Sequence, residues 1–399
     1  MPHREIEIGD RRQGRRFSGW VSKEAFASDL QSKLSLSHIP ALDGIRAIAV
    51  FLVIFYHFGF AWAPGGLGVT MFFVLSGFLI TWLLLKENGK YGDVSLKGFY
   101  LRRVLRIFPA FYVYWAALVF LLLLKGKDVL WPHAVSAFFY VSDYYNAILG
   151  DPNNGFSHTW SLAIEEQFYL LWPPAFFLLR KDLKKMTRFL VILIGAVWLH
   201  RLVLYFIFHV DQAYFYASFD TRMDALMVGC LFATLLKRGA LYSFWRALCS
   251  NFFMTFLVAA ALICSMRFGH LLLPRYRDVV AFAVDPVLIA LLMVQLISFS
   301  NHSGARWIES PLMRFLGRIS YSLYLYQQIT LDLGHKLFAN KSVVIQLLAA
   351  VAVTVAVASF SYYVIERPFL KLKDARSNRS ARAAVMNDVV GDINITGVA

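Results

Sequence analysis

The sequence predicts an all-α integral membrane protein, a bundle of about ten transmembrane helices with both termini in the cytoplasm. Of its 399 residues, 58% are hydrophobic and only 16% are charged, whereas about a quarter of the residues are charged in a typical soluble domain. The mean hydropathy is +0.55, and the apolar residues form long blocks instead of alternating with polar ones. This composition excludes a disordered chain and an ordinary soluble enzyme.

Ten segments are long and apolar enough, or nearly so, to cross a bilayer, which requires about 20 residues. Residues 39–370 are therefore predicted to form one transmembrane domain, preceded by a basic cytoplasmic tail (1–38) and followed by a second tail (371–399). Segment 134–149 is shorter and more polar, which indicates an interfacial or re-entrant piece whose role stays open. The ten predicted segments are 41–60, 68–86, 107–124, 162–179, 188–208, 220–236, 252–266, 279–299, 316–334 and 343–365.

The distribution of basic residues along the chain supports this count and gives the orientation. With ten crossings and a cytoplasmic N-terminus, the inner segments hold 30 of the 40 Lys and Arg residues and the outer segments hold 7. Such an excess is the positive-inside pattern of membrane proteins. The net charge of +15 is therefore mainly a topology signal. It does not indicate a nucleic-acid partner, although basic residues near the bilayer are suited to contacting anionic membrane lipids.

The cysteines do not form a recognisable metal or disulfide pattern. Cys230, Cys249 and Cys264 are widely spaced and no CxxC pair occurs. Small buried hydrophobes are the ordinary interpretation of such residues. We therefore expect no metal cofactor.

The first predicted span carries two ionisable side chains on one helix face. Arg46 and His57 are eleven residues apart, close to three full turns, and lie about 16 Å apart along the helix axis. Charged groups inside a membrane are costly and usually functional. A histidine can take a proton from a hydroxyl near neutral pH, and an arginine can hold an anion. The alternative for His57 is an interfacial histidine bonded to a backbone carbonyl.

The fourth predicted span opens with the polar block HTWSLAIEEQFY at residues 158–169. Glu165, Tyr169 and Trp172 follow each other at helical spacing and share one face. From that face Glu165 is predicted to hold the imidazole of a histidine on another helix; a structural glutamate is the alternative. The side chains of this block given supporting roles are His158, Ser161 and Tyr169.

Further charged residues lie at the edges of later spans. Arg103 and Arg106 are i, i+3 neighbours on the cytoplasmic side and suited to gripping phosphates, unless they are ordinary anchors. Arg222 and Asp224 open the sixth span, where they are expected to pair with each other or to support the site. Asp285 is a single intramembrane acid that could equally be a kink contact.

Together these blocks resemble the acyltransferase-3 family of multi-pass membrane O-acyltransferases, from about Ile39 to Phe369. The ordered set of motifs is specific, although each motif is weak by itself. The matching blocks are Arg46-x10-His57, the glycine- and phenylalanine-rich residues 68–78, Arg103-x-x-Arg106, the WSLxxEEQFY block at 160–169, residues 319–326 and Glu366-Arg367-Pro368.

Two positions depart from the family pattern. Thr70 stands where many relatives have an acidic residue. Gln327 and Gln328 stand where histidine is common, which argues against a catalytic role for that late block. We also expect no fused extracytoplasmic hydrolase-like domain, so the membrane domain itself would deliver the acyl group.

The resemblance implies transfer of an acyl group, most often acetyl, from cytoplasmic acyl-CoA to a hydroxyl of a cell-surface or lipid-linked glycan at the bacterial inner membrane. His57 would act as general base or transient acyl carrier, with Glu165 orienting it and Arg46 securing the donor. Arg103 and Arg106 would bind the phosphates of coenzyme A. The acceptor, the acyl chain and the oligomeric state stay open.

Two other functions fit parts of the sequence. A secondary transporter of a small polar or anionic solute would also be a helical bundle with buried ionisable residues. A scaffold that moves an acylated lipid would need a similar cavity but no essential His57. Neither alternative explains the ordered set of motifs.

Overall fold

The computed structural model describes residues 22–36, 38–272, 275–300, 302, 304–337 and 340–371, so most of both predicted tails lies outside the described residues. Within this part the chain forms helices joined by short turns and contains no strand. The helices are α1 (Lys23–Ser35), α2 (Pro40–Phe58), α3 (Gly65–Tyr91), α4 (Leu96–Leu124), α5 (Trp131–Phe138), α6 (Ser142–Leu149), α7 (Thr159–Leu179), α8 (Leu183–Phe206), α9 (Gln212–Ala217), α10 (Phe219–Lys237), α11 (Tyr242–Leu248), α12 (Phe252–Leu272), α13 (Phe282–Ser298), α14 (Pro311–Arg318), α15 (Ser320–Leu337) and α16 (Val343–Ser361). Single π-helical turns precede α13 (Arg277–Ala281) and follow α16 (Tyr362–Glu366).

The fold is that of a multi-pass membrane protein, and each of the ten predicted segments overlaps one of these helices. In the part of the chain that the structure describes, six helices are long and apolar enough to cross a bilayer: α2, α3, α4, α8, the helix over Arg277–Ser298 and the helix over Val343–Lys371. A seventh is added if the sharply bent pair Gln212–Lys237 and Tyr242–Leu248 counts as one span. The all-helical membrane class is confirmed, whereas the number of ten crossings is not.

Segment 134–149 forms parts of two short helices instead of one long one. The helices α5 and α6 contain eight residues each, about 12 Å at 1.5 Å per residue. That length is less than half of the roughly 30 Å hydrocarbon core. Gln167 of α7 ties this hairpin to the bundle by donating to Asp143 (2.9 Å) and to the backbone oxygen of Tyr140 (2.9 Å).

Helix α3 forms the centre of the bundle. Of its most apolar stretch 72% is buried, against 22% for α8 and 17% for the last helix, so the latter two present most of their surface outward. Helix α3 packs most closely on α10 through glycines. A Cβ atom on Gly77 would collide with the backbone of Leu226, and one on Gly229 would collide with the backbone of Val74. Small residues at such crossings let membrane helices approach backbone to backbone.

Helix ends fix where several polar residues lie. Helix α2 ends at Gly59, whose φ of +108° suits glycine because it has no Cβ; His57 therefore lies in the last turn. At the other end of the bundle, Asp182 caps α8 by accepting from the backbone N–H groups of Lys185 and Lys184. Those backbone hydrogen bonds lower the pKa of the Asp182 carboxyl.

Candidate functional site

A cavity of about 610 Å³ opens between α2, α3, α7, α9, α12, α13 and α15. Its volume falls within the range of about 300 to 1,000 Å³ that is usual for small-molecule sites. Both charged and apolar side chains form its wall. The polar ones include His57, Thr70, His158, Arg277, Asp285 and Gln328.

His57 is held on one side of its ring and open on the other. Its Nδ1 lies 3.0 Å from the backbone oxygen of Val53 and 3.1 Å from Oε1 of Gln327. A backbone carbonyl can only accept, so Nδ1 carries the proton and Nε2 keeps its lone pair. No described residue hydrogen-bonds to that nitrogen. This is the arrangement that a general base requires.

His158 repeats the same pattern on the opposite wall. Its side chain is buried, Nδ1 lies 3.1 Å from Oε1 of Gln328, and Nε2 has no hydrogen-bond partner among the described residues. Tyr324 donates to the backbone oxygen of His158 (3.0 Å), and Ser161 donates to the same oxygen (3.2 Å). His158 therefore lines the same cavity as His57, and Ser161 is bound to the backbone of His158.

The two adjacent glutamines of α15 are the functional contact that sequence reasoning missed. Gln327 is fully buried, and each glutamine binds one of the two histidines. In the sequence they stand out only as a departure from histidine. In the structure each of them contacts one imidazole.

The predicted donor-binding arginines form a second cluster, in which Arg46 lies about 16 Å from His57 along α2. Arg46, Arg103 and Arg106 interact electrostatically with one another, and the guanidinium of Arg103 lies 4.2 Å from the centre of the Tyr169 ring. Within the described part of the chain, none of the three has a carboxylate oxygen within 4.0 Å. Three neighbouring cations without ion pairs are suited to an anionic ligand.

Glu165 belongs to this second cluster, and the predicted contact with a histidine is wrong. Its carboxylate accepts from Ser76 (2.9 Å) and from Tyr169 (3.4 Å), and Arg103 and Arg46 are its nearest cationic neighbours. The reason is helix geometry: Glu165 lies seven residues beyond His158, about 10 Å along α7. The amide of Gln327 takes the place expected for Glu165.

One face of α7 nevertheless joins the two clusters. His158, Ser161, Glu165 and Tyr169 follow at spacings of three and four residues and line the same side of the helix. Glu165, Tyr169 and Trp172, which were expected to share a face, lie on this side of α7. Trp172 donates a hydrogen bond to Thr81 of α3 (2.9 Å). A continuous polar line therefore runs from the histidines to the arginines.

Arg222 and Asp224 do not pair with each other. Asp224 accepts two hydrogen bonds from Arg201 of α8, at 3.0 and 2.7 Å, and both side chains are buried. Arg222 instead donates to Thr70 Oγ1 (2.9 Å). The expectation of an internal pair fails because the two side chains, two residues apart, point to different sides of α10.

Asp285 forms part of the cavity wall, where its carboxylate accepts from Ser265 (2.7 Å). Among the described residues no group of three or more His, Cys, Asp or Glu side chains could hold a metal ion. The described side chains that line the cavity carry imidazole, amide, hydroxyl, carboxylate and guanidinium groups.

Fold and site define a multi-pass membrane protein with a histidine-lined cavity joined to a cluster of arginines. The chain belongs to the acyltransferase-3 family, because residues 39–364 match the model of that family, described as an acyltransferase domain. This match confirms the resemblance seen in the motifs.

Curated relatives carry acetyltransferase names. The chain is 30% identical over 362 residues to the peptidoglycan O-acetyltransferase OatA of Listeria monocytogenes, covering 85% of this chain and 57% of the relative. It is 32% identical over 360 residues to a protein of Staphylococcus aureus (strain COL) provisionally named an O-acetyltransferase, covering 84% and 58%. The chain thus spans somewhat more than half the length of these relatives. No solved structure matches it significantly.

Proposed function

We propose that the protein transfers an acetyl group from cytoplasmic acetyl-CoA to a hydroxyl of a cell-surface or lipid-linked glycan. Membership of the acyltransferase-3 family and the names of the relatives support this reaction class. The observation that carries the proposal is the imidazole of His57, held at Nδ1 by Val53 and Gln327 and open at Nε2 toward a cavity.

The chemistry follows from that geometry. His57 Nε2 takes the proton of the acceptor hydroxyl while the oxygen of that hydroxyl attacks the thioester carbonyl. The carbon–sulfur bond breaks, and the thiolate of coenzyme A leaves and receives that proton. Between these two proton transfers His57 is an imidazolium, which the hydrogen bond to Gln327 stabilises. A second route, in which Nε2 itself carries the acetyl group for a time, uses the same open nitrogen.

The arginine cluster is the proposed donor site. Arg46 lies about 16 Å from His57 along α2. With the phosphates of the donor bound by Arg46, Arg103 and Arg106, the pantetheine arm would cover that distance along the polar face of α7. A second cavity of about 420 Å³, lined by His38, Asp43, Pro311, Arg314 and Arg318, lies at the start of α2 beside this cluster. Its two arginines suit the anionic head of the donor.

Ten crossings with both ends in the cytoplasm form part of the proposal, and the packing of α3 on α10 supports α7 as one of them. Thr70 contacts Arg222, Gly77 lies at Leu226 and Gly89 lies near Lys237, so both helices run in the same direction. Parallel direction requires an odd number of crossings between them. Helices α4 and α8 supply two, and α7, with 21 residues, is the third. The basic loops then face the cytoplasm and the cavity faces the bacterial cell surface.

The test is acetyl transfer by membranes that contain the protein. Labelled acetyl-CoA and cell-wall glycan are mixed with wild-type membranes, and label in the glycan is measured. His57→Ala should lower transfer by about 10² to 10⁴, the contribution of a general base. His209→Asn is the control, because His209 is exposed, lies outside the cavity and has a positive φ that asparagine tolerates.

Normal transfer by His57→Ala would remove the catalytic assignment. Wild-type membranes that bind acetyl-CoA but transport a solute and acetylate nothing would favour the transporter instead.

A further inference from the structure

Arg222 is a buried cation without a carboxylate partner among the described residues, directly behind side chains that line the cavity. Its side chain is 2% exposed, and one hydrogen bond is formed, from Nη2 to the neutral hydroxyl of Thr70. Its other terminal nitrogen, Nη1, has no partner in the described structure. A buried charge without a compensating group costs several kcal/mol in a protein, so such a guanidinium is expected to have a counter-ion when the protein works.

No carboxylate of the described residues fills that role. Asp224, two residues along the same helix, is bound by Arg201 through both oxygens. Asp285 faces Arg222 electrostatically but accepts from Ser265 and lies beyond ion-pair distance from the guanidinium. The remaining neighbour is an aromatic ring, since the guanidinium carbon lies 3.8 Å from the centre of Phe282.

The surroundings of Arg222 belong to the same cavity as the two histidines. Thr70, Tyr216 and Phe282 contact or flank the guanidinium, and all three line the cavity. The guanidinium carbon of Arg277, which lines the cavity, lies 5.3 Å from the centre of the Tyr216 ring, and that of Arg222 lies 5.7 Å from it, so two cations flank one aromatic side chain. Close packing of α3 on α10 fixes Thr70 opposite Arg222, which makes the position of this charge a rigid property of the fold.

We propose that Arg222 is the anion subsite for the acceptor: the glycan that enters the cavity carries a carboxylate or a phosphodiester, which Arg222 binds while a hydroxyl of the same molecule meets His57. This inference rests on the proposed acetyl transfer and narrows its acceptor to an anionic glycan. The two sources of such an anion are a uronic acid and the phosphate of a lipid-linked sugar. Arg277 assists at the mouth.

The experiment measures binding first, because binding does not depend on transfer. Purified protein in lipid nanodiscs is titrated with labelled methyl glucuronide, octyl glucosyl phosphate, and the neutral controls methyl glucoside and octyl glucoside. The wild type should bind at least one anion about tenfold or more tightly than its neutral control, the fold-change expected for a charge-assisted hydrogen bond. The tighter of the two anions identifies the source.

Two variants assign that preference to Arg222. Thr70→Asp places a carboxylate at the guanidinium and should abolish the preference with Arg222 intact, whereas the isosteric neutral Thr70→Asn should keep it. Arg222→Gln should abolish it as well. If Arg222→Gln does not fold, Thr70→Asp decides alone, because it adds an ion-pair partner to a buried cation and removes none.

Equal binding of anionic and neutral glycosides by the wild type would overturn the proposal, and so would a preference that survives Thr70→Asp. Acetyl transfer is then measured with the same compounds. An anion preference in binding without any acetyl transfer would contradict the proposed function and leave the anion subsite standing, so the two failures are distinguishable.

Discussion

Replacing Gln327 by leucine removes one of the two groups that hold the His57 ring. Leucine has a similar size and no hydrogen-bonding group, so the Val53 contact at 3.0 Å stays while the 3.1 Å contact to Gln327 is lost. During transfer His57 becomes an imidazolium, and a hydrogen bond to a charged group contributes about 1.5 to 3 kcal/mol against about 0.5 to 1.5 for a neutral one. The difference, about 1 to 1.5 kcal/mol, predicts a five- to tenfold lower kcat.

The assay is steady-state acetyl transfer with varied acetyl-CoA. Gln327→Leu should lower kcat and leave the KM for acetyl-CoA unchanged, because Gln327 contacts the histidine and not the donor site. Gln327→Glu supplies an acceptor that suits an imidazolium at least as well and should restore kcat. An unchanged kcat in Gln327→Leu, or a change confined to KM, would refute the reasoning.

Two further predictions concern the donor site and the packing of the bundle. Arg103→Ala should raise the KM for acetyl-CoA about tenfold, the value of one charge-assisted contact, with kcat unchanged. Arg246→Ala, on α11, is the control, and an unchanged KM in Arg103→Ala would remove the phosphate-binding role. Gly77→Ala should lower the free energy of unfolding by about 1 to 3 kcal/mol or more, because its Cβ would meet the backbone of Leu226. A Cβ atom added by Gly195→Ala on α8 has no neighbour within 4 Å, so the free energy of unfolding should stay the same or rise. Thermal unfolding of the purified variants measures both changes.

The helices and the family can be predicted from the sequence because both depend on local sequence patterns. An apolar block of about 20 residues predicts a membrane helix whatever it packs against, and each predicted segment overlaps a helix of the structure. The shared face of Arg46 and His57 likewise follows from spacing along one helix.

The hydrogen-bond partners of the polar side chains cannot be predicted from the sequence, because they depend on how the helices rotate and pack against one another. Gln327 reaches His57 across 270 residues of chain, and a spacing rule does not predict such a contact. Glu165 was placed beside a histidine because carboxylate and imidazole often pair, yet its depth along α7 puts it among the arginines. A pair of Arg222 with Asp224 is one of the two arrangements that the sequence allows, but Arg222 instead contacts Thr70 of α3.

Transfer of acetyl from one face of the membrane to a glycan on the other is tested most directly in sealed proteoliposomes. Labelled acetyl-CoA is supplied outside and the glycan acceptor is enclosed, so that only protein joining both faces can bring acetyl group and hydroxyl together. We expect labelled glycan inside vesicles that contain the wild type and none with His57→Ala. Label that appears only after the vesicles are opened, or equally with His57→Ala, would contradict it.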